Sequence, residues 1–335
     1  MARTIRFYRY GGPEVLEIEE RLVAEPREGE VRIHVHAFGL NRAESLFRSG
    51  MYIEQAELPS GSGLEAAGVI ESVGPGVSGL SVGDRVALIP PISMRERPVH
   101  SELVNFPADL VVPVPAVQSF EEAAATWMAY LTAYGALIDV AALGASDHVV
   151  ISAASSSVGL AAIQIVNALG GVPIAVTRSD RKRAALLAAG AVHVVVSDNE
   201  DVASAIRDIT GDRGPRVVLD AVGGRLLPEL VAAAATGGII VSYGAQDART
   251  SELPPAALLA KSLTMRGYLV HELVRNSARL ATAKAFLIER LATGAFRPVI
   301  SRAFALKEIR CAYEFLESGD QFGKVVVAVQ PLNGG

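Results

Sequence analysis

Two rhythms of apolar residues divide the chain. In the second half, short continuous apolar runs recur at His148 to Ser152, Val172 to Thr177, Val192 to Ser197, Arg216 to Asp220, Gly238 to Tyr243 and Leu263 to Val270. Stretches with helical spacing separate them: Val158 to Leu169, Arg181 to Ala189, Asp201 to Ile209, Arg225 to Ala234 and Ala256 to Lys261. Strands that are apolar on both faces and alternate with helices belong to a parallel sheet covered on both sides. The pattern predicts an α/β fold with a doubly wound, six-stranded parallel (Rossmann) domain over residues 123–270.

The first half keeps a period of two. Val31-Arg32-Ile33-His34-Val35-His36-Ala37 places Val31, Ile33 and Val35 on one face of a strand and Arg32, His34 and His36 on the other. The two histidines read either as a metal pair or as solvent-face residues, and the alternation favours the second. Gly74-Pro75-Gly76, Gly79 and Gly83-Asp84 punctuate further short strands, so residues 1–122 form a separate β-rich domain. Strands are also predicted at Ile5 to Tyr10 and Val325 to Val329, and helices at Phe120 to Leu137, Ala278 to Ala292 and Glu308 to Leu316.

The first strand of the second half runs into Ser152-Ala153-Ala154-Ser155-Ser156-Ser157-Val158-Gly159 and then into a helix. A small-residue turn at a helix N-terminus lets a pyrophosphate approach backbone N–H groups. By itself the turn is a weak signal, since one glycine of the G-x-G-x-x-G pattern remains and a tight strand-to-helix turn needs small residues anyway. The surrounding alternation turns it into a dinucleotide site, with Ser155, Ser156, Ser157, Val158 and Gly159 as cofactor contacts.

Which dinucleotide depends on the end of the second strand. About 20 positions after the last glycine, where a carboxylate would hold an unphosphorylated ribose, stands Arg178, in Val176-Thr177-Arg178-Ser179-Asp180-Arg181-Lys182-Arg183. Cations there attract a 2′-phosphate, so the cofactor is read as NADPH, held by Thr177, Arg178 and Arg183. A solvated charge run, or Asp180 in another register, is the competing explanation.

Composition narrows the class. At 335 residues the chain is long enough for two domains, and its single Cys311, read as a packing residue, excludes an intrachain disulfide. A net charge of -5 with scattered basic residues gives no footprint for nucleic acid. No apolar stretch reaches ~18 residues, and Met1-Ala2-Arg3-Thr4 leads directly into a strand, so neither membrane insertion nor export is expected and a reducing cytoplasm fits.

Several motifs then converge on one family. Asn41-Arg42-Ala43-Glu44, Arg48-Ser49-Gly50-Met51-Tyr52, Gly63-Leu64-Glu65-Ala66-Ala67-Gly68, Val73-Gly74-Pro75-Gly76-Val77 and Gly83-Asp84-Arg85-Val86 resemble the medium-chain dehydrogenase/reductase superfamily. Leu131-Thr132-Ala133-Tyr134, Leu219-Asp220-Ala221-Val222-Gly223-Gly224 and Gly323-Lys324-Val325-Val326 extend the resemblance to the end of the chain. It implies a GroES-like catalytic domain, residues 1–122 with 271–335, around the nucleotide domain, with the cleft at the junction. The zinc alcohol dehydrogenases of this superfamily carry a cysteine at or near Asn41 and a histidine where Leu64 stands. A catalytic zinc needs about three such ligands, so the chain resembles the zinc-free quinone oxidoreductase and enoyl reductase branch, and no metal is expected.

Without a Lewis acid, conjugated acceptors are favoured: hydride added to a quinone or an α,β-unsaturated carbonyl sends charge to an oxygen that hydrogen-bond donors can hold. The resemblance implies that Asn41 lies beside the nicotinamide ribose and the substrate oxygen, and that Tyr52 is a proton donor or enolate clamp; a loop lid is the alternative for Tyr52. It implies a substrate pocket of Trp127, Tyr130 and Tyr268, although aromatics on a helix also serve as core. Further cofactor contacts implied are Thr132, Val222, Tyr243, Leu269 and Lys324. The histidines His100, His148, His193 and His271 show no metal spacing. The expected partner is a small conjugated carbonyl or quinone, and the apolar last strand suits pairing into a homodimer. A nucleotide-binding protein with little turnover remains the alternative to an enzyme.

Overall fold

The computed structural model describes residues 1–247 and 249–329. The chain divides into two compact units, residues 1–128 with 284–335, and residues 129–283. Both boundaries fall within helices.

The first unit opens with an antiparallel ribbon of β1 (Ala2–Phe7) and β2 (Leu16–Arg21). Five strands of a seven-stranded sheet follow, β3 (Glu30–Leu40), β4 (Ala66–Val73), β5 (Arg85–Leu88), β6 (Leu103–Pro107) and β7 (Val111–Pro113), and the end of the chain supplies the other two. Val31, Ile33 and Val35 are fully buried while His34 is exposed, as the alternation requires. The helix α1 (Arg42–Arg48) leaves the end of β3 with Asn41 as its N-cap, and a capping box ties Asn41 to Glu44. The helix α2 (Phe120–Ala124) is separated from α3 (Trp127–Tyr134), where continuous periodicity predicts one helix from Phe120 to Leu137. The Thr126 hydroxyl donates to the Glu122 carbonyl at 2.7 Å, a local bond that competes with the helical ladder and bends the chain. Beyond Tyr134 the coil widens into a π-helical stretch, Gly135–Val140.

The second unit is the expected parallel sheet. Its strands are β8 (His148–Ile151), β9 (Val172–Thr177), β10 (His193–Val196), β11 (Val217–Asp220), β12 (Ile239–Ser242) and β13 (Thr264–Gly267), in spatial order β10-β9-β8-β11-β12-β13. Helices α4 (Ser157–Ala168), α5 (Arg183–Ala188), α6 (Val202–Thr210), α7 (Leu226–Ala233) and α8 (Pro255–Ala260) make the crossovers. The strand order reverses beside β8, so the turn leaving β8 stands at the switch point where such sheets bind ligands. The last strand is shorter than its apolar run. Pairing ends with Ser242 opposite Gly267 because β12 itself ends there, which leaves Leu269 exposed and outside the sheet.

The helices α9 (His271–Val274) and α10 (Ser277–Ala292) follow, and the chain closes with β14 (Ile300–Ala305), α11 (Ile309–Ser318) and β15 (Lys324–Ala328). On α11 the buried face is Ile309, Ala312, Tyr313 and Leu316, the i, i+3, i+4, i+7 stripe. Cys311 lies off that stripe and is exposed, so it is not the packing residue that its helical setting suggested. Strand β15 inserts between β14 and β3, antiparallel to β3 with Val326 opposite Gly39 and Val325 opposite Leu40. One more step of that register brings Lys324 beside Asn41.

Candidate active site

Three strand ends of the first unit converge on Asn41. Strand β3 ends at Leu40, β15 begins at Lys324, and β4 begins one residue after Glu65. Gly39 lies at the crossing, where a Cβ would fall 2.6 Å from Lys324 Cε and 2.9 Å from Glu65 Oε1. Only a residue without a side chain lets the cation and the carboxylate meet there.

They meet in the interior. Lys324 and Glu65 are each 1% exposed, and the Lys324 ammonium pairs with Glu65 Oε1. Lys324 Nζ also donates to Asn41 Oδ1 at 2.6 Å. Asn41 Nδ2 donates to Glu65 Oε1 at 3.1 Å and to Glu44 Oε1 at 3.2 Å. The second Glu65 oxygen accepts from the Met128 N–H at 3.0 Å. Glu44, fully buried, further accepts from the Asn41 N–H at 2.8 Å, the Leu64 N–H at 3.1 Å and the Tyr313 hydroxyl at 3.0 Å. His100 Nε2 lies 3.7 Å from Glu44 Oε1, with its ring stacked on Phe38.

Burial sets the protonation of this cluster. It raises the Glu44 carboxyl above its ordinary range, against the opposing bonds from Asn41 and the charge of Lys324. It pushes His100 down to about 3, so the imidazole is neutral. It carries the Tyr313 phenol well above its usual value, with Glu44 adding to the effect. Tyr52 follows α1 through a short turn, half-buried against the core, its N–H bonded to the Leu46 carbonyl at 3.1 Å. Its phenol is pushed up to about 12 by burial and then by the charges of Glu54 and Glu44, so it stays a donor throughout the physiological range.

The second unit carries the small-residue turn. Ser156 is the N-cap of α4, and its hydroxyl accepts from the Gly159 N–H at 3.1 Å. A serine at this point therefore closes the helix end itself. At Gly159 a Cβ would meet the Ala154 carbonyl oxygen at 2.5 Å, so glycine is required for the close approach of helix to turn. Arg178 is exposed. Arg183 is occupied differently from the sequence expectation: it bonds Asp180 at 2.6 Å, Glu200 at 2.7 Å and the Val194 carbonyl at 2.7 Å. The cation at the turn is instead Lys182, whose Nζ donates to Ser155 Oγ at 3.1 Å. Asp180, faced by Arg183, is likewise engaged.

The remaining expected residues are mostly interior. Trp127 and Tyr130 are buried, with the Tyr130 hydroxyl donating to Gln164 at 2.9 Å. Thr132 and Thr177 are buried, and Val222 is half-buried. Val222 sits in a turn anchored by Asp220, which accepts from Ser152 Oγ at 2.6 Å and from the Val222 and Gly223 N–H groups at 3.0 Å each. Tyr243 and Tyr268 directly follow β12 and β13, and the buried Tyr268 hydroxyl lacks a hydrogen-bond partner among the described residues. That hydroxyl points at Gly135, where a Cβ would lie 1.8 Å away.

Residues 27–116 match the alcohol dehydrogenase GroES-like domain, and residues 157–287 match the zinc-binding dehydrogenase family. Over 321 residues the chain is 32% identical to quinone oxidoreductase 1 of Escherichia coli K12, covering 95% of this chain and 97% of the relative. The chain belongs to the quinone oxidoreductase branch of the medium-chain dehydrogenase/reductases. The crystal structure of an Escherichia coli quinone oxidoreductase complexed with NADPH superposes on this branch member with a TM-score of 0.90 at 30% identity, over 98% of this chain and all of that one. The CurK enoyl reductase superposes with a TM-score of 0.88 at 26% identity, over 98% and 99% of the two chains. Among the described residues of this quinone oxidoreductase relative, no group of three or more histidine, cysteine or carboxylate side chains is arranged to hold a metal ion.

Sequence reasoning missed Glu44 and Glu65 as partners of Asn41, Tyr313 and His100 as neighbours of Glu44, and Lys182 as the cation at the turn. One signal was present: Asn41-x-x-Glu44 is a capping-box spacing, which already ties Glu44 to the Asn41 backbone. The contacts of Glu65, His100 and Tyr313 depend on strand and helix neighbours distant in sequence.

Proposed function

We propose that the chain is an NADPH-dependent oxidoreductase that delivers hydride to a quinone or an α,β-unsaturated carbonyl without zinc. The observation that carries this reading is the relationship to quinone oxidoreductases along nearly the entire chain. The turn fits a dinucleotide: the Gly159 cradle would be filled by a Cβ, and the first turn of α4 offers N–H groups to a pyrophosphate. Ser155, Ser157 and Val158 would hold that pyrophosphate, while Lys182 and Arg178 supply the positive charge that suits a 2′-phosphate. Thr132, Thr177, Val222, Tyr243 and Leu269 complete the cofactor site in this reading, and Trp127, Tyr130 and Tyr268 the substrate side.

When bound, NADPH supplies the hydride. Tyr52 holds a proton at its phenolic oxygen and donates a hydrogen bond to the acceptor's developing oxyanion. Asn41 orients a hydroxyl group at the reaction centre. An enoyl-thioester acceptor is the second reading, favoured by the likeness to the CurK enoyl reductase. The enzyme is assigned to the cytoplasm. A homodimer is assigned to the outer edge of β13, where the last strand leaves backbone groups unpaired among the described residues.

The test is a panel of NADPH and NADH against a quinone, an enone and an enoyl thioester, with metal content measured on the same sample. NADPH oxidation by quinone or enone, unaffected by chelators, is expected. No oxidation of either cofactor across the panel would reduce the protein to a nucleotide binder. Wild-type turnover in both Tyr52→Phe and Asn41→Ala would remove these residues from the site, and a monomer by light scattering would remove the dimer.

A further inference from the structure

The amide of Asn41 can stand in only one orientation. One end faces Lys324 Nζ at 2.6 Å, which can only donate; the other faces Glu65 Oε1 at 3.1 Å, the oxygen paired with Lys324, and Glu44 Oε1 at 3.2 Å, the oxygen that accepts the Leu64 N–H. Flipping it would set an NH2 group against an ammonium and a carbonyl oxygen against two carboxylate oxygens, all in a buried site. Both Asn41 N–H donors are therefore occupied, and one lone pair of Oδ1 is left.

We infer that Lys324 and Glu65 are positioning residues that restrict Asn41 to a hydrogen-bond acceptor, so that it receives a hydroxyl at the reaction centre and cannot donate to the oxygen of the acceptor. This rests on the proposed function for what is bound, and on the hydrogen-bond geometry alone for the orientation. It narrows the expectation that Asn41 lies beside both the nicotinamide ribose and the substrate oxygen to the first of these. That oxygen takes its hydrogen bond from Tyr52, whose hydroxyl is still protonated at neutral pH. Gly39 belongs to the same device, since a side chain there would collide with both Lys324 and Glu65.

The chain's own labelled amide provides the readout. In 15N-labelled full-length protein the two Asn41 side-chain protons should be protected from solvent exchange, and should stay protected when NADPH and then a non-reducible quinone analogue are added. Glu65→Gln, close in shape, should abolish that protection. It should also lower kcat about 10- to 100-fold, the cost of a misplaced reacting group, with the quinone KM unchanged. Lys324→Met should act in the same direction, and Lys324→Arg should recover part of kcat.

The inference is overturned if the Asn41 protons exchange freely, if they lose their protection on adding the quinone analogue, or if folded Glu65→Gln keeps wild-type kcat. Should Lys324→Met fail to fold, the wild-type exchange and Glu65→Gln still decide. If none of the acceptors in the panel supports NADPH oxidation by the wild type, the functional reading fails while amide protection in the free protein still tests the orientation.

Discussion

The polar cluster around Asn41 and the turn after β8 solve different electrostatic problems. In the first unit, Lys324, Glu65 and Glu44 are withdrawn from water and held by one another and by Asn41, Tyr313 and three backbone N–H groups. In the second, the turn offers a helix end, a serine cap and a cation at its rim, with Ser155, Ser156 and Ser157 half-buried. A buried ion pair is fragile to loss of one partner because the survivor has no water to return to. A helix N-terminus is forgiving, because its N–H groups persist whatever side chain stands beside them. Damage to the first region should therefore appear in stability and pH response, and damage to the second in cofactor affinity.

The largest effect should come from Lys324→Ala, which strands the Glu65 carboxylate and should cost about 3–5 kcal/mol. Replacing both partners, as in Lys324→Met with Glu65→Leu, should recover a substantial part of that loss. Thermal melting that leaves Lys324→Ala indistinguishable from wild type would erase the contrast between the regions.

Next comes the acid response. The folded His100 value, about 3, lies below the ordinary 6.5, so its contribution is present above pH 6.5 and is lost as the pH falls toward 3. Between pH 6.5 and 4 this amounts to about 3 kcal/mol. Glu44, raised by burial, runs oppositely: its contribution is present below about 4.5 and is lost as the pH rises through its folded value. Denaturant unfolding of His100→Gln should therefore show a shallower acid slope than wild type; parallel slopes would refute the assignment.

At the turn, Lys182→Ala with Arg178→Ala should weaken NADPH binding about 10- to 100-fold, or 1.4–2.8 kcal/mol, and leave NADH nearly unchanged. Cofactor fluorescence titration measures both, and equal losses would place the 2′-phosphate elsewhere. The smallest effect should be that of Ser156→Ala, which removes the cap on the Gly159 N–H and should cost about 1 kcal/mol. A loss as large as that of Lys324→Ala would mean that the turn, too, is a tightly desolvated site.

Most of the sheet and its switch-point turn were legible in the chain, because parallel strands buried on both faces read as continuous apolar runs and the turn is a single contiguous segment. Misreadings came where a local bond or a neighbour overrode the pattern. Thr126 broke the predicted long helix, the end of β12 shortened the last strand, and the narrow buried stripe of α11 left Cys311 outside. At the nucleotide end, counting residues found the cationic segment, but only packing distinguished Lys182, at Ser155, from Arg183, drawn away by Asp180 and Glu200.

By itself the sequence determined the two-part architecture, the family and the small-residue turn that leads into α4, all of which rest on local periodicity and contiguous motifs. Tertiary structure decided what surrounds Asn41 beyond the Glu44 of its own capping box. Residues 41, 44, 65, 100, 313 and 324 meet because strand register and helix packing bring distant segments together at one end of a sheet. Hydrogen-bond geometry and desolvation, which act only after that meeting, then fix which atoms of Asn41 remain available for chemistry.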